Sequence, residues 1–233
     1  MEPQEQEYVM QKENYSIRNF NDTLSQTFTR MFMGLLLTAV TAIVTYRTPL
    51  IYSVIGYYWL FAIAELVVVF VFSLGFRKMS ASTVSVLYYV YAVLNGLTFS
   101  TIFIAYDLAL IGKSFLITAA MFGVLAYYGH TTDKDLSSWG TILSIGLIMG
   151  IIATIINMFL KNDLFSIALD WIMLAIFSLL TIYDMNKMKY LSESIEGNGE
   201  PDKLYVYCAM QLYLDFINIF LRILSIMSRG NRK

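Results

Sequence analysis

Charge is scarce in this sequence: only 14% of its 233 residues are Asp, Glu, Lys or Arg, and the formal net charge is −1. A soluble domain carries about a quarter charged residues, and a near-neutral chain lacks the basic patch needed to neutralise phosphates. A nucleic-acid partner is therefore excluded. Cysteine occurs once, at Cys208, so neither an internal disulfide nor a Cys-based metal centre can form. His130 is the only histidine, which removes His-rich zinc or haem ligation as well. No cofactor is expected. Three prolines and 13 glycines are too few for linkers or low-complexity segments. The polar, acid-rich start (Glu2, Glu5, Glu7, Glu13, Asp22) lacks the basic-then-apolar order of a cleavable signal peptide. It reads as a solvated cytoplasmic tail, 1–27, with the first span acting as its own insertion signal.

What the chain has instead is apolar surface. Hydrophobic residues make up 58% of it, and the mean hydropathy is +0.61. One globular core cannot hide that excess, whereas a lipid bilayer can. A membrane helix needs about 20 mostly apolar residues. Seven stretches qualify: Phe28–Tyr46, Ile51–Phe76, Ala81–Tyr106, Ser114–Tyr128, Ser138–Leu160, Leu164–Met188 and Leu204–Met227. Connections are short, so neighbours should pack antiparallel. The exception is Tyr190–Lys203, whose Glu-Gly-Asn-Gly-Glu-Pro core predicts a turn-rich loop. A single all-α membrane domain, 28–229, with a short basic tail at 230–233, accounts for the rest.

Lys and Arg set the orientation. Nine of them (Lys12, Arg18, Arg30, Arg77, Lys78, Lys134, Lys187, Lys189, Lys203) fall on the N-terminal side and three (Arg47, Lys113, Lys161) on the opposite side. The expected topology has a cytoplasmic N-terminus, in the plasma (inner) membrane if the source is bacterial. Seven full crossings then put the basic C-tail outside, against the same rule, so the last segment either crosses or re-enters; crossing is the reading adopted. Tyr46, Tyr57, Tyr58, Trp59, Tyr106, Tyr127, Tyr128 and Trp139 cluster near span ends, as interfacial aromatic belts do.

Five ionisable residues lie inside the proposed spans: Glu65, Asp170, Asp184, Asp215 and Arg222. An acid at a helix centre costs about 2.5–3.5 kcal/mol on insertion scales. These side chains must face protein or water, and each is a functional-site candidate. In the last span Gln211, Asp215, Asn218, Arg222, Ser225 and Arg229 recur at steps of three and four, which places them on one helix face. Such a seam lines a watery path or serves as interhelical glue. A carboxylate is costly where amides would suffice for glue, so Asp215 favours the path. Asp170 and Asp184 share a face of the sixth span, separated by a rise of about 21 Å. They read as stations on an ion route, with a merely wet Asp170 near the outer surface as the bland alternative. Asp184 and Asp215 fall on consecutive antiparallel spans. Two facing carboxylates do not both ionise easily, so the pair would share a proton. Such a pair suits a proton sensor, or an oxygen site for a hard cation such as calcium. Arg77 and Lys78 are inside-positive anchors, one of which could reach an acid and close the path. For Arg222 the bland reading is snorkelling to the interface.

Several of these residues resemble the transmembrane Bax inhibitor motif family. The likeness rests on Ile182-Tyr183-Asp184-Met185-Asn186 in the sixth span and Leu212-Tyr213-Leu214-Asp215-Phe216-Ile217-Asn218-Ile219-Phe220 in the seventh. Asn95-Gly96-Leu97-Thr98, Lys134-Asp135-Leu136-Ser137 and Asn157-Met158-Phe159 add weaker support. The resemblance implies a seven-helix bundle with the last helix central. It also implies a pH-sensitive calcium leak, with the family's paired aspartates at Asp184 and Asp215 and its latch arginine near Arg77. Under it, calcium and protons are the transported or sensed ions, while Glu65, Asp170, Gln211, Asn218 and Arg222 supply polar lining. Two other readings stay open. One is a regulator or scaffold that binds other membrane proteins, such as a protease or a cell-death partner. The other is an intramembrane aspartyl protease; it is disfavoured because Leu-Tyr-Leu, not Gly-x-Gly, precedes Asp215 and no Pro-Ala-Leu follows. The chain is accordingly expected not to be an enzyme.

Overall fold

The structure, a computed structural model, describes residues 3–193 and 200–230, and no strand occurs among them. In chain order the helices are α1 (Pro3–Arg47), α2 (Leu50–Gly56), α3 (Tyr58–Gly75), α4 (Ala81–Phe99), α5 (Ile102–Ala105), α6 (Leu108–Thr131), α7 (Ser137–Leu160), α8 (Asp163–Glu193) and α9 (Pro201–Gly230). Seven segments are long and apolar enough to cross a membrane: Phe20–Arg47 within α1, α3, the broken pair α4–α5, α6, α7, α8 and α9. Large side chains such as Leu74, Leu116, Val124, Phe159 and Leu164 stand exposed on them. That would be untenable in water and is expected in lipid. The protein is a multi-pass, all-α integral membrane protein.

Several boundaries differ from the expected ones; the expected Ser114–Tyr128 span, for one, runs from Leu108 to Thr131. The predicted Ile51–Phe76 span breaks at Tyr57, just after Gly56, so that only Tyr58–Gly75 crosses. Ala81–Tyr106 is interrupted at Ser100 and Thr101. Their hydroxyls turn back onto the carbonyls of Leu97 and Thr98, at 2.5 and 2.7 Å, and compete with the regular helix ladder. The predicted Tyr190–Lys203 loop is shorter than expected, because α8 runs on to Glu193 and α9 already starts at Pro201. Proline is well placed at that start, since a first-turn residue needs no N–H partner. The rest of that predicted loop, 194–199, lies outside the described residues. From Pro3 on, the predicted tail 1–27 belongs to α1; residues 1–2 lie outside the described residues.

The chain divides into two units, one formed by residues up to 101 with 188–210, the other by 102–187 with residues from 211 onward. In the first unit α1 packs along α4, and α4 along α3. Gly96 sets how closely α1 and α4 approach: a Cβ there would lie 2.6 Å from the Thr41 Cβ and 2.7 Å from the Thr38 carbonyl oxygen. At the same contact the buried Thr38 hydroxyl donates to the Ala92 carbonyl at 2.9 Å. Small residues and short hydroxyls do this work between membrane helices because lipid offers no hydrophobic force to press them together. The start of α9 belongs to this unit and is tied down by polar contacts. Asp202 pairs with Arg30 at 2.6 Å, Glu200 accepts from the Ala81 backbone N–H at 3.1 Å, and Lys203 donates to the Arg77 carbonyl at 3.4 Å.

In the second unit α7 and α8 are joined by a tight reversal. Lys161 adopts a left-handed φ of 50° there, which costs a residue with a Cβ. Asn157 holds the turn: its amide donates to Ser166 at 2.6 Å and accepts from the Asn162 N–H at 3.3 Å. The Asn157-Met158-Phe159 motif therefore shapes a turn. Of the seven spans α9 is the most enclosed: 61% of an apolar 18-residue stretch of it is buried, against 44% for the corresponding stretch of α8 and 6% for α3.

Candidate intramembrane acid site

The segment Tyr183–Asn186 of α8 is fixed from two sides. Gly129 of α6 admits it closely, since a Cβ at that glycine would lie 2.5 Å from the Ile182 carbonyl oxygen and 2.8 Å from the Met185 Cβ. Gly140 of α7 likewise leaves room for the Tyr183 ring. Asn186, buried, donates its amide to the Thr132 carbonyl at 3.4 Å. With Tyr183, Met185 and Asn186 so engaged, Asp184 is set beside α9, where it lies within electrostatic reach of Asp215.

Asp215 is only 3% exposed, and its Oδ2 has no hydrogen-bond partner. The fully buried Thr181, one turn before Asp184 on α8, donates its hydroxyl to the Phe177 carbonyl at 2.9 Å and lies near the Asp215 carboxyl. The ammonium of Lys187, one turn after Asp184, lies within Coulombic reach of that acid and 5.7 Å from the centre of the Tyr183 ring. Neither Thr181 nor Lys187 was singled out from the sequence. An i, i+3 neighbour of a named acid was the signal that could have found them.

The remaining predicted site residues fall elsewhere. Asp170 is neither wet nor a free station on a route. It is 4% exposed and clamped, with Oδ1 3.0 Å from Arg222 and Oδ2 3.0 Å from Arg229 and 2.7 Å from the Ser225 hydroxyl. Arg222 accordingly points at a carboxylate and does not simply snorkel to the interface. Asn218 spends its amide donor on its own helix, on the Leu214 carbonyl at 2.8 Å. Gln211, Asn218, Arg222, Ser225 and Arg229 are all half-buried, while Leu212, Tyr213, Phe216, Ile217, Ile219 and Phe220 are buried. The polar seam is thus the least enclosed stripe of α9, and Asp215 is its sealed point. Arg77 follows the end of α3 with an exposed side chain, in the other unit from the acid pair. Glu65 also belongs to that other unit and sits 2.6 Å from the Thr98 hydroxyl. No cluster of three or more carboxylate, His or Cys side chains occurs among the described residues.

Fold and site together define a polytopic helical membrane protein that carries acidic side chains inside its last two helices. Residues 20–232 match the family model described as inhibitor of apoptosis-promoting Bax1, and the chain belongs to this Bax inhibitor-like family. It is 37% identical over 216 residues to the inner membrane protein YbhL of Escherichia coli, covering 90% of this chain and 92% of that one. It is 36% identical over 212 residues to the uncharacterized protein RP147 of Rickettsia prowazekii, covering 89% of each. An uncharacterized membrane protein of Streptococcus pyogenes, SpyM3_0260, is 34% identical over 170 residues, or 73% of each chain.

Proposed function

We propose that this protein is a pH-sensitive cation leak of the membrane, conducting calcium and gated by protonation of Asp184 and Asp215. One observation carries the reading: two carboxyl groups lie within electrostatic reach of each other on consecutive membrane helices, and one oxygen of Asp215 is enclosed without a partner among the described residues. Such a pair resists holding two negative charges, so a single proton decides its state. In the charged state a nearby cation holds the pair and closes the path. Lys187 is positioned for this within the same unit, and Arg77 is the alternative latch. Protonation releases the cation and opens the route along the seam of α9. The transported calcium is cargo and not a resident cofactor, and no bond-making chemistry is assigned to the acids. The N-terminus and the start of α9 face the cytoplasm in this proposal.

The test is calcium entry into liposomes containing only this protein, across about pH 6 to 8, the range over which a proton-sharing pair is expected to switch. Wild-type flux should rise as pH falls, and Asp184→Asn and Asp215→Asn should each flatten the curve. If both variants keep the wild-type profile, the pair is not the sensor. If no preparation passes calcium, the leak reading fails and a regulator that binds other membrane proteins takes its place.

A further inference from the structure

Glu65 is the only charged residue among the 18 of α3. Its Oε1 lies 2.6 Å from the Thr98 hydroxyl oxygen, and that same oxygen lies 3.0 Å from the Asn95 carbonyl oxygen, one helical turn back on α4. Three oxygens in a row must share their protons, and a threonine hydroxyl has only one to give. If Thr98 gives it to Asn95, the proton between Thr98 and Glu65 belongs to the glutamic acid. If Thr98 gives it to Glu65, Oε1 only accepts, as a carboxylate does, and the Asn95 carbonyl loses this donor.

Charge decides between the two. Among the described residues no Lys or Arg lies within ion-pairing distance of Glu65. Of the elements packed with α3 in its unit, α9 sets Lys203 over the Phe76 ring and Tyr207 against Phe72 and Phe76, toward the far end of the helix, and the others carry no counter-ion at the depth of Glu65. α2 and α4 contain no Asp, Glu, Lys, Arg or His, and α1 contains none from Met31 to Tyr46. The titratable groups in electrostatic range are the phenols of Tyr58 and Tyr91. Around them are the buried Asn95, whose amide donates to the Tyr91 hydroxyl at 3.2 Å, and that amide's enclosed oxygen, which has no partner. A carboxylate here, in the middle of a membrane span, would have no cation to balance it.

We infer that Glu65 is a proton-binding site of its own, held as a carboxylic acid by a relay in which Glu65 donates to Thr98 and Thr98 donates to the Asn95 carbonyl. It lies on the second and third spans, in the unit that does not contain Asp184 and Asp215. It binds its proton whether or not the protein conducts calcium. Discharge sends that proton to water, turns the Thr98 hydroxyl toward the carboxylate and frees the Asn95 carbonyl.

Infrared spectroscopy tests this directly, on full-length protein in an ester-free detergent. The background is Asp184→Asn with Asp215→Asn, so that the other acid pair contributes nothing. A carboxylic-acid C=O band should be present at neutral pH and absent after Glu65→Gln. In Thr98→Val the band should remain but move to higher frequency, because the acid has lost its acceptor. No Glu65-dependent acid band at neutral pH, or a band that Thr98→Val leaves in place, overturns the proposal. Neither readout depends on calcium flux, so the leak can fail while this site stands, and the reverse.

Discussion

Asp170 and Arg222 form an ion pair between α8 and α9, guanidinium Nη1 to carboxylate Oδ1 at 3.0 Å. Ser225 and Arg229 complete the clamp from one and two turns further along the same helix face. Removing the carboxylate leaves two arginines facing each other with no anion between them. Asp170→Asn should therefore lower stability by about 3 kcal/mol, the low end for breaking a buried pair, because Arg229 is partly exposed. Arg222→Gln should cost less, about 1.5 kcal/mol, since Arg229 still holds Asp170. Thermal unfolding of the purified protein in detergent reads both, and equal midpoints for wild type and Asp170→Asn would show that the clamp is idle.

The identity of the latch is settled by comparing two cations. If Lys187 closes the path, Lys187→Gln should raise calcium flux at alkaline pH several-fold, toward the acid-state level, while Arg77→Ala changes little. If Arg77 is the latch the pattern reverses. Liposomal flux at one alkaline pH distinguishes them, and two silent variants would remove the cation clamp from the mechanism.

Gly96 and Gly123 make a matched pair of probes. A Cβ at Gly96 collides with Thr41 and with the Thr38 carbonyl, whereas nothing lies within 4 Å of a Cβ at Gly123. Gly96→Ala should destabilise by about 1–3 kcal/mol through overpacking. Gly123→Ala should be neutral or slightly stabilising, as Ala costs the helix less entropy. A thermal-shift assay with both variants checks the contrast.

Asp135, in the loop before α7, accepts from the Ser137 backbone N–H at 2.8 Å. The Ser137 hydroxyl first, and that N–H second, hold its carboxyl below the ordinary carboxylate range. A depressed folded value means that the contact helps the folded state at pH above the unfolded value, and that the help is lost as pH falls through the folded one. Ser137→Ala should move the Asp135 titration upward, by less than full removal would, because the N–H remains. Carbon-13 NMR of labelled aspartate follows it, and an unmoved midpoint would assign the effect to the N–H alone.

Topology is tested with single cysteines in a Cys208→Ala background. A cysteine at Ser80, in the turn between α3 and α4, should be protected from a membrane-impermeant thiol reagent added to intact cells. One at Asn162, in the turn between α7 and α8, should react. The reverse labelling would turn the map inside out despite the bias of nine Lys and Arg to three.

The sequence alone determined the class of this protein, because hydropathy and helix length are local quantities. Seven apolar runs, scarce charge and the absence of Cys and His clusters leave little besides a helical membrane bundle. It also singled out the acids, since a carboxylate inside a span is conspicuous wherever it ends up. Which groups meet was not legible, because partnership depends on how helices rotate and how closely they approach. Asp170 looked like a companion of Asp184 on one face of α8, yet its partners are Arg222, Ser225 and Arg229 of α9. Lys187, three residues along from Asp184 and within its electrostatic reach, was not singled out beside Arg77, the expected latch. Gly129 and Gly140 carried no signal until the Tyr183–Asn186 segment was seen pressed against them. The sequence could name the costly charges; only the packing of α6, α7, α8 and α9 decided what each is held by, because a carboxylate's state follows from the atoms within a few ångströms and not from its place in the chain.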